Sequence, residues 1–125
     1  MSPKAIKITG WVLAILLAAL FTMSAFMKLT QNKTALEQAA AVGIDATTYL
    51  YIGVIEIVSL VLFLLPRTGV LGTLLLAAYL GGAIATHVQH QQPVLMPVMI
   101  QVVLWITAIT RFPELKQRLI KSKNN

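Results

Sequence analysis

The apolar residues of this chain fall into long runs that few charges interrupt. Twenty uncharged residues separate Lys7 from Lys28, and 43 separate Arg67 from Arg111. A helix of about 20 apolar residues crosses the hydrocarbon core of a bilayer. The first interval therefore matches one transmembrane helix, and the second matches two.

Proline and glycine divide the remaining runs. The polar segment Val88–Pro93 breaks the longest run in two, and the segment Leu65–Gly69 predicts a tight turn before it. A further apolar run precedes that turn and contains one charge, Glu56. We therefore predict an all-α integral membrane protein, a bundle of four transmembrane helices in a single domain, 1–125. The predicted spans cover about residues 8–28, 47–65, 69–88 and 95–111.

The polar segments outside the spans predict two shorter helices. Thr34 and Glu37 have the spacing of a capping box, and Gly43 is a typical helix stop, so we expect a short surface helix between spans one and two. Residues 112–125 form a basic tail, whose first part predicts a short amphipathic helix on the membrane surface.

Basic residues are distributed unevenly between the two predicted sides. Four spans place both termini and the Leu65–Gly69 turn on one side, and the other side carries only Lys28 and Lys33. By the positive-inside rule both termini are cytoplasmic, and we expect a multi-pass protein of the bacterial inner membrane. The eight basic residues of the cytoplasmic side are Lys4, Lys7, Arg67, Arg111, Lys116, Arg118, Lys121 and Lys123.

Composition supports a membrane protein and excludes several other classes. The chain is 58% hydrophobic and 11% charged, and a soluble domain of 125 residues cannot hide that much apolar surface. The net charge of +6 does not indicate nucleic-acid binding, because the basic residues lie at the edges of apolar runs. The absence of cysteine excludes disulfides and thiolate metal sites.

Glu56 is the strongest candidate for function, because an ionised carboxylate in mid-span is costly unless it is paired or neutralised. Such residues usually mark a ligand contact, a proton site or a pathway. The alternative is a protonated glutamate that serves packing alone. Gln101 lies at a similar depth in span four, where it either bonds Glu56 or links two helices.

Lys28 ends the first span and has two possible orientations. It either snorkels to the head groups or turns inward as a counter-charge for Glu56. In the second case Ser24, one turn earlier, and Tyr79, in mid-span three, extend a polar lining.

His87 and His90 lie three residues apart, at the end of span three. Two imidazoles at this spacing share a helix face, but no third ligand is evident, so we predict no metal site. We expect His87 to lie at the mouth of a pocket as a hydrogen-bonding or titrating group. Span three also contains the small-residue pairs Ala78 and Gly82, and Gly81 and Ala85, whose spacing predicts close helix packing, either within the bundle or between protomers.

The order and spacing of several short segments resemble the DoxX-like family of small four-helix membrane proteins, over most of residues 9–111. The resemblance implies that Glu56, His87 and Lys28 match the family's glutamate, histidine and post-helix lysine. It also implies a link to quinone-reducing systems, since the family takes its name from a membrane subunit of one. The segments are Ser24–Leu29, Ala41–Ile44, Gly53–Glu56, Leu64–Pro66 and Tyr79–Ala83.

We therefore expect a protein that binds a small lipophilic ligand, a quinone or an isoprenoid-like lipid, in an outward-opening polar pocket. It would serve as an accessory subunit of a membrane redox system. The alternatives are an assembly or scaffold protein and a small proton-coupled transporter. An enzyme acting alone has least support, because no nucleophile–base pair or phosphate loop is evident. The expected partners are the bilayer and a membrane protein or second copy, without nucleic acid.

Overall fold

The computed structural model describes residues 1–120, which contain six α-helices and no strand. Lys121 and Lys123 of the predicted basic tail lie outside the described residues. A 3-10 turn, Pro66–Thr68, separates the third helix from the fourth. The helices are α1 (Pro3–Leu29), α2 (Lys33–Ala41), α3 (Ala46–Leu64), α4 (Gly69–Gln89), α5 (Leu95–Arg111) and α6 (Pro113–Leu119).

Side-chain caps explain where the first helices begin. Helix α1 begins five residues earlier than predicted, because Ser2 accepts a hydrogen bond from the Ala5 amide and Pro3 suits the first helical position. The capping-box prediction for Thr34 is wrong. Asn32 caps α2 instead, by accepting a hydrogen bond from the Ala35 amide at 3.1 Å.

The four long helices pack side by side around one core. Helices α1 and α4 each pack against both α3 and α5, so that neighbours follow the order α1, α3, α4, α5 around the bundle. The core consists of apolar side chains from all four helices, among them Phe21, Phe63, Leu76 and Leu104.

The bundle has two distinct ends. At one end, which we call the α2 end, α2 packs against α1 and α3 close to the loop between α4 and α5. At the other, the turn end, Arg111 donates hydrogen bonds to the carbonyls of Phe63 and Leu64 at 3.0 and 3.1 Å. Arg111 thereby satisfies backbone carbonyls that the end of α3 leaves free.

Three helical segments are long and apolar enough to cross a membrane: α1, α3, and α4 with its preceding 3-10 turn. Helices α5 and α6 together form a fourth candidate that is bent by 111°. Large apolar side chains such as Ile15, Leu16 and Met23 are more than 60% exposed on the outer surface of α1. A lipid environment accommodates such a surface.

Candidate functional site

A buried ion pair joins α1 to α3. Lys28 Nζ lies 3.0 Å from Glu56 Oε2, Glu56 is fully buried, and Lys28 is 7% exposed. Lys28 also donates to the Ser24 hydroxyl at 2.6 Å, so its side chain runs back along α1 toward the middle of the bundle. Of the two orientations predicted for Lys28, the structure has the inward one.

Gly53 provides the space that this orientation needs. A Cβ atom at position 53 would lie 2.7 Å from the Cβ of Lys28, closer than real side chains approach. Gly53 and Glu56 are three residues apart and share one face of α3. The same helix face therefore supplies both the room for the lysine and its counter-charge.

The Glu56 carboxylate has an incomplete set of partners. Neither oxygen has a hydrogen bond of acceptable geometry among the described residues, although one lies 3.0 Å from Lys28 Nζ and Tyr79 is close enough to interact. The contact with Lys28 is therefore electrostatic, with an angle that is poor for a hydrogen bond. Because buried carboxylates are normally hydrogen-bonded as well as paired, Glu56 depends strongly on Lys28.

A cavity of about 870 Å³ lies at the α2 end, with Lys28 in its wall. This volume is in the range of small-molecule sites. Two aromatic rings flank the ammonium group, with the Tyr49 ring centre 5.2 Å and the Tyr79 ring centre 5.7 Å from Nζ. These distances allow cation–π attraction, which helps to hold the lysine in place.

The cavity wall is mainly apolar, with a few polar groups. Small residues of α4 and apolar residues of α2 and the following loop form much of it. Within residues 1–120, Lys28 is the only formally charged side chain of the lining. The polar lining residues besides Lys28 are Gln38, Tyr49, Tyr79, Thr86, His87 and Gln92.

The two histidines occupy different surroundings. His87 lines the cavity with its Nδ1 atom 2.6 Å from the Ala83 carbonyl, whereas His90 is exposed and lies outside the lining. A carbonyl only accepts hydrogen bonds, so we assign the His87 proton to Nδ1, which leaves Nε2 as an acceptor in the neutral ring. Within residues 1–120 no three His, Cys, Asp or Glu side chains are grouped as metal ligands.

A model of the DoxX-like family matches residues 12–109. The chain belongs to the DoxX-like family. The match runs from the first half of α1 almost to the end of α5, and so includes the ion pair and nearly all of the cavity. No curated protein and no solved structure matches the chain. The family match and the helices that are long and apolar enough to cross a membrane together show that this DoxX-like chain is a multi-pass membrane protein.

The fold of this DoxX-like chain brings most of the predicted site residues together. Lys28, Tyr79 and His87 line the cavity, and Glu56 and Ser24 lie behind its wall in contact with Lys28. Gln101 stands apart from this group. Its side-chain amide donates to the Ala77 carbonyl at 3.2 Å, which links α5 to α4, and no bond to Glu56 forms.

The sequence also contained a signal for lining residues that our predictions missed. Tyr49, Ile52 and Glu56 are spaced three and four residues apart, which places them along one face of α3. A search along the Glu56 face would therefore have found Tyr49. The lining residues Gln38 and Gln92 carry no such signal, because the packing of α2 and the loop path bring them to the cavity.

Gly81 and Gly82 of α4 do not pack closely against another helix of the described bundle. Packing of the small residues between two copies of the chain stays a prediction. A Cβ atom at Gly81 or at Gly82 would meet nothing within 4 Å. Gly82 instead lines the cavity with Ala78 and Ala83. In this DoxX-like chain these small residues widen the cavity.

Proposed function

We propose that this DoxX-like protein binds a small lipophilic molecule with an oxygen-bearing head group in the cavity at the α2 end. The observation that carries the proposal is a cavity of about 870 Å³ whose apolar walls converge on one charged side chain, Lys28. Ligand pockets typically combine such walls with a few placed polar groups.

The lining favours a ligand of the quinone or isoprenoid class. An apolar ring or chain would lie against Ala78, Gly82 and Ala83, where a bulkier wall would exclude it. The oxygen atoms of its head group would accept hydrogen bonds from Lys28 and from Tyr79. The Tyr49 ring offers a face for offset stacking.

We further propose four membrane spans, with α5 as the fourth. At about 1.5 Å per residue, 17 residues reach about 25 Å, close to the lower limit for a spanning helix. The excess of basic residues at the turn end supports a topology in which that end and both termini lie on the cytoplasmic side of a bacterial inner membrane. The cavity would then open near the outer side, where α2 would lie on the membrane surface.

A ligand-binding subunit of this kind would work with another protein. We propose that it is an accessory subunit of a membrane redox system, which either a membrane protein partner or a second copy completes. The exposed apolar surfaces of the long helices are available for such contacts.

Native mass spectrometry with two glycine variants tests the binding proposal. Gly82→Leu extends a side chain into the cavity, whereas Gly81→Leu places the same side chain outside the lining on the next residue of α4. We expect the wild type and Gly81→Leu, gently extracted from their own membrane, to carry the same small molecule. Gly82→Leu should lose most of it.

Three outcomes would contradict the proposal. The small molecule could remain bound equally in Gly82→Leu, which would place it elsewhere. It could be lost equally from Gly81→Leu, which would show that bulk on α4, rather than cavity space, controls binding. An empty wild type that carries only a protein partner would favour the scaffold function instead.

A further inference from the structure

Lys28 belongs to two sites at once. Among the described residues it is the one formally charged side chain that lines the cavity, and it is also the cation that pairs with the buried Glu56 carboxylate. An anionic head group that enters the cavity would find Lys28 as its partner. That partner is already engaged, so binding an anion requires a change at Glu56.

Glu56 cannot remain a carboxylate without Lys28. It is fully buried, and none of the described residues gives its oxygens a hydrogen bond of acceptable geometry. A buried carboxylate that loses its only cation costs far more than the same group in protonated form. Uptake of one proton from water is the change that removes this cost.

We propose that the ligand of this cavity is an acid, that it binds as its anion to Lys28, and that Glu56 takes up one proton as it binds. This inference rests on the proposed function and names the chemistry of the ligand's head group. The anion adds one negative charge, and the proton converts the Glu56 carboxylate to a neutral carboxyl group. Lys28 remains an ammonium ion, so the net charge of the site is unchanged.

Only a few ionisable side chains among the described residues lie close enough to the ion pair to take up the proton in place of Glu56. Helix α3 contributes Tyr49, and α4 contributes Tyr79 and His87. Helix α1 contributes Lys28 itself, and α2 contributes the uncharged Gln38. Besides Glu56, His87 offers an acceptor for a proton, because its Nε2 atom is unprotonated in the neutral ring. A test must therefore separate Glu56 from His87.

A matched pair of ligands provides the test. The probes are 1,4-naphthoquinone, which is neutral, and 2-hydroxy-1,4-naphthoquinone, which has the same rings and is an anion at neutral pH. Isothermal titration calorimetry of the full chain in lipid nanodiscs, in buffers of different ionisation enthalpy, counts the protons taken up with each ligand.

The wild type should take up about one proton with the hydroxy compound, and its Kd should rise about tenfold for each unit of pH. The neutral quinone should bind without proton uptake. Glu56→Gln resembles the protonated carboxyl group, so this variant should bind the hydroxy compound with no proton uptake and with a Kd that is independent of pH. Whatever its effect on affinity, His87→Gln should keep the count near one.

The number of protons taken up is measured on the wild type alone, so the test remains valid even if a variant misfolds. Binding of the hydroxy compound without proton uptake would overturn the inference. Binding of the neutral quinone alone would also overturn it but would leave the proposed function intact. Failure of both compounds to bind would overturn it and would remove quinones from the proposed function as well.

Discussion

The two ends of the bundle use the same residue types for opposite purposes. At the turn end glycine permits close packing. A Cβ at Gly72 would lie 2.1 Å from the backbone nitrogen of Phe63, and one at Gly69 would meet the Phe112 ring. The charge at this end, on Arg111, is satisfied by two backbone carbonyls and by contacts with aromatic rings such as Phe112.

At the α2 end two glycines of α4, Gly81 and Gly82, leave space open. Gly82 lines the cavity, and added Cβ atoms there or at Gly81 would contact nothing. The buried charges of this end, on Lys28 and Glu56, contact each other, and none of the described residues gives either Glu56 oxygen a hydrogen bond of acceptable geometry.

This difference separates stability from function within one small bundle. Tight packing and fully satisfied polar groups stabilise a fold, whereas open space and unsatisfied groups reduce stability and are kept where binding needs them. We therefore expect substitutions at the turn end to reduce stability alone. Substitutions at the α2 end should affect ligand binding as well.

The largest effect should come from removing one member of the ion pair. Lys28→Met removes the cation that pairs with Glu56, so the fold must bury either an uncompensated carboxylate or a carboxyl group that has taken up a proton, and we expect the free energy of unfolding to fall by about 3–5 kcal/mol. The double variant Lys28→Met with Glu56→Gln should regain much of this loss, because no charge is then buried. Urea titration in mild detergent, followed by circular dichroism, measures each difference.

Lys33 offers a matched control for this prediction. It is an exposed lysine at the start of α2, so Lys33→Met should change stability by no more than about 0.5 kcal/mol. If Lys28→Met and Lys33→Met had the same free energy of unfolding, the Lys28–Glu56 ion pair would not stabilise the bundle.

The sequence predicted the helices well because apolar runs and charge gaps are local signals. Gly43, with its φ of 78°, follows α2 as predicted, and α5 has its predicted bounds. The start of α2 was misplaced because Asn32 and Thr34 are both good caps, and only the chain path decides between them.

The sequence predicted which residues form the candidate site better than it predicted how their side chains are arranged. Lys28 and Glu56 stand out because charges within apolar runs are rare. The inward orientation of Lys28 depends on a contact with Gly53 across two helices, which no local pattern reveals. The cavity likewise depends on how α2 packs, so no local pattern in the sequence predicts the open space at Gly82.

The second-largest effect on stability should distinguish two glycines of α4, Gly72 at the turn end and Gly82 at the α2 end. Gly72→Ala places a methyl group against the backbone of Phe63, which cannot move without shifting α3, so it should cost about 1–3 kcal/mol. Gly82→Ala meets no neighbour and should be neutral or stabilising by up to about 1 kcal/mol, because alanine favours helix. Thermal unfolding of both variants in detergent measures the difference. Equal destabilisation would contradict the contrast between the ends.

The smallest expected effect is a difference between the two ends of α3 in their stability at acid pH. At the α2 end Asp45 caps the helix, and hydrogen bonds from Thr48 hold the pKa of the Asp45 carboxyl below its usual value. The Asp45 carboxylate therefore stabilises the helix fully at a pH above the pKa of aspartate in the unfolded chain, about 3.9. This stabilisation is lost as the pH falls through the lower pKa that Asp45 has in the folded protein. At the turn end Arg111 remains charged throughout this range.

Acid should therefore loosen the first turn of α3 before the last. Hydrogen exchange, corrected for the intrinsic effect of pH, should show protection falling at Thr48 while the amides near Phe63 keep theirs. Asp45→Asn retains a capping oxygen but cannot titrate, so its first turn should lack this response to acid. An equal loss of protection at both ends, or the same acid response in Asp45→Asn, would show that Asp45 does not distinguish the two ends. Because Asp45 is fully exposed, water screens its charge, and the effect should be confined to this one turn.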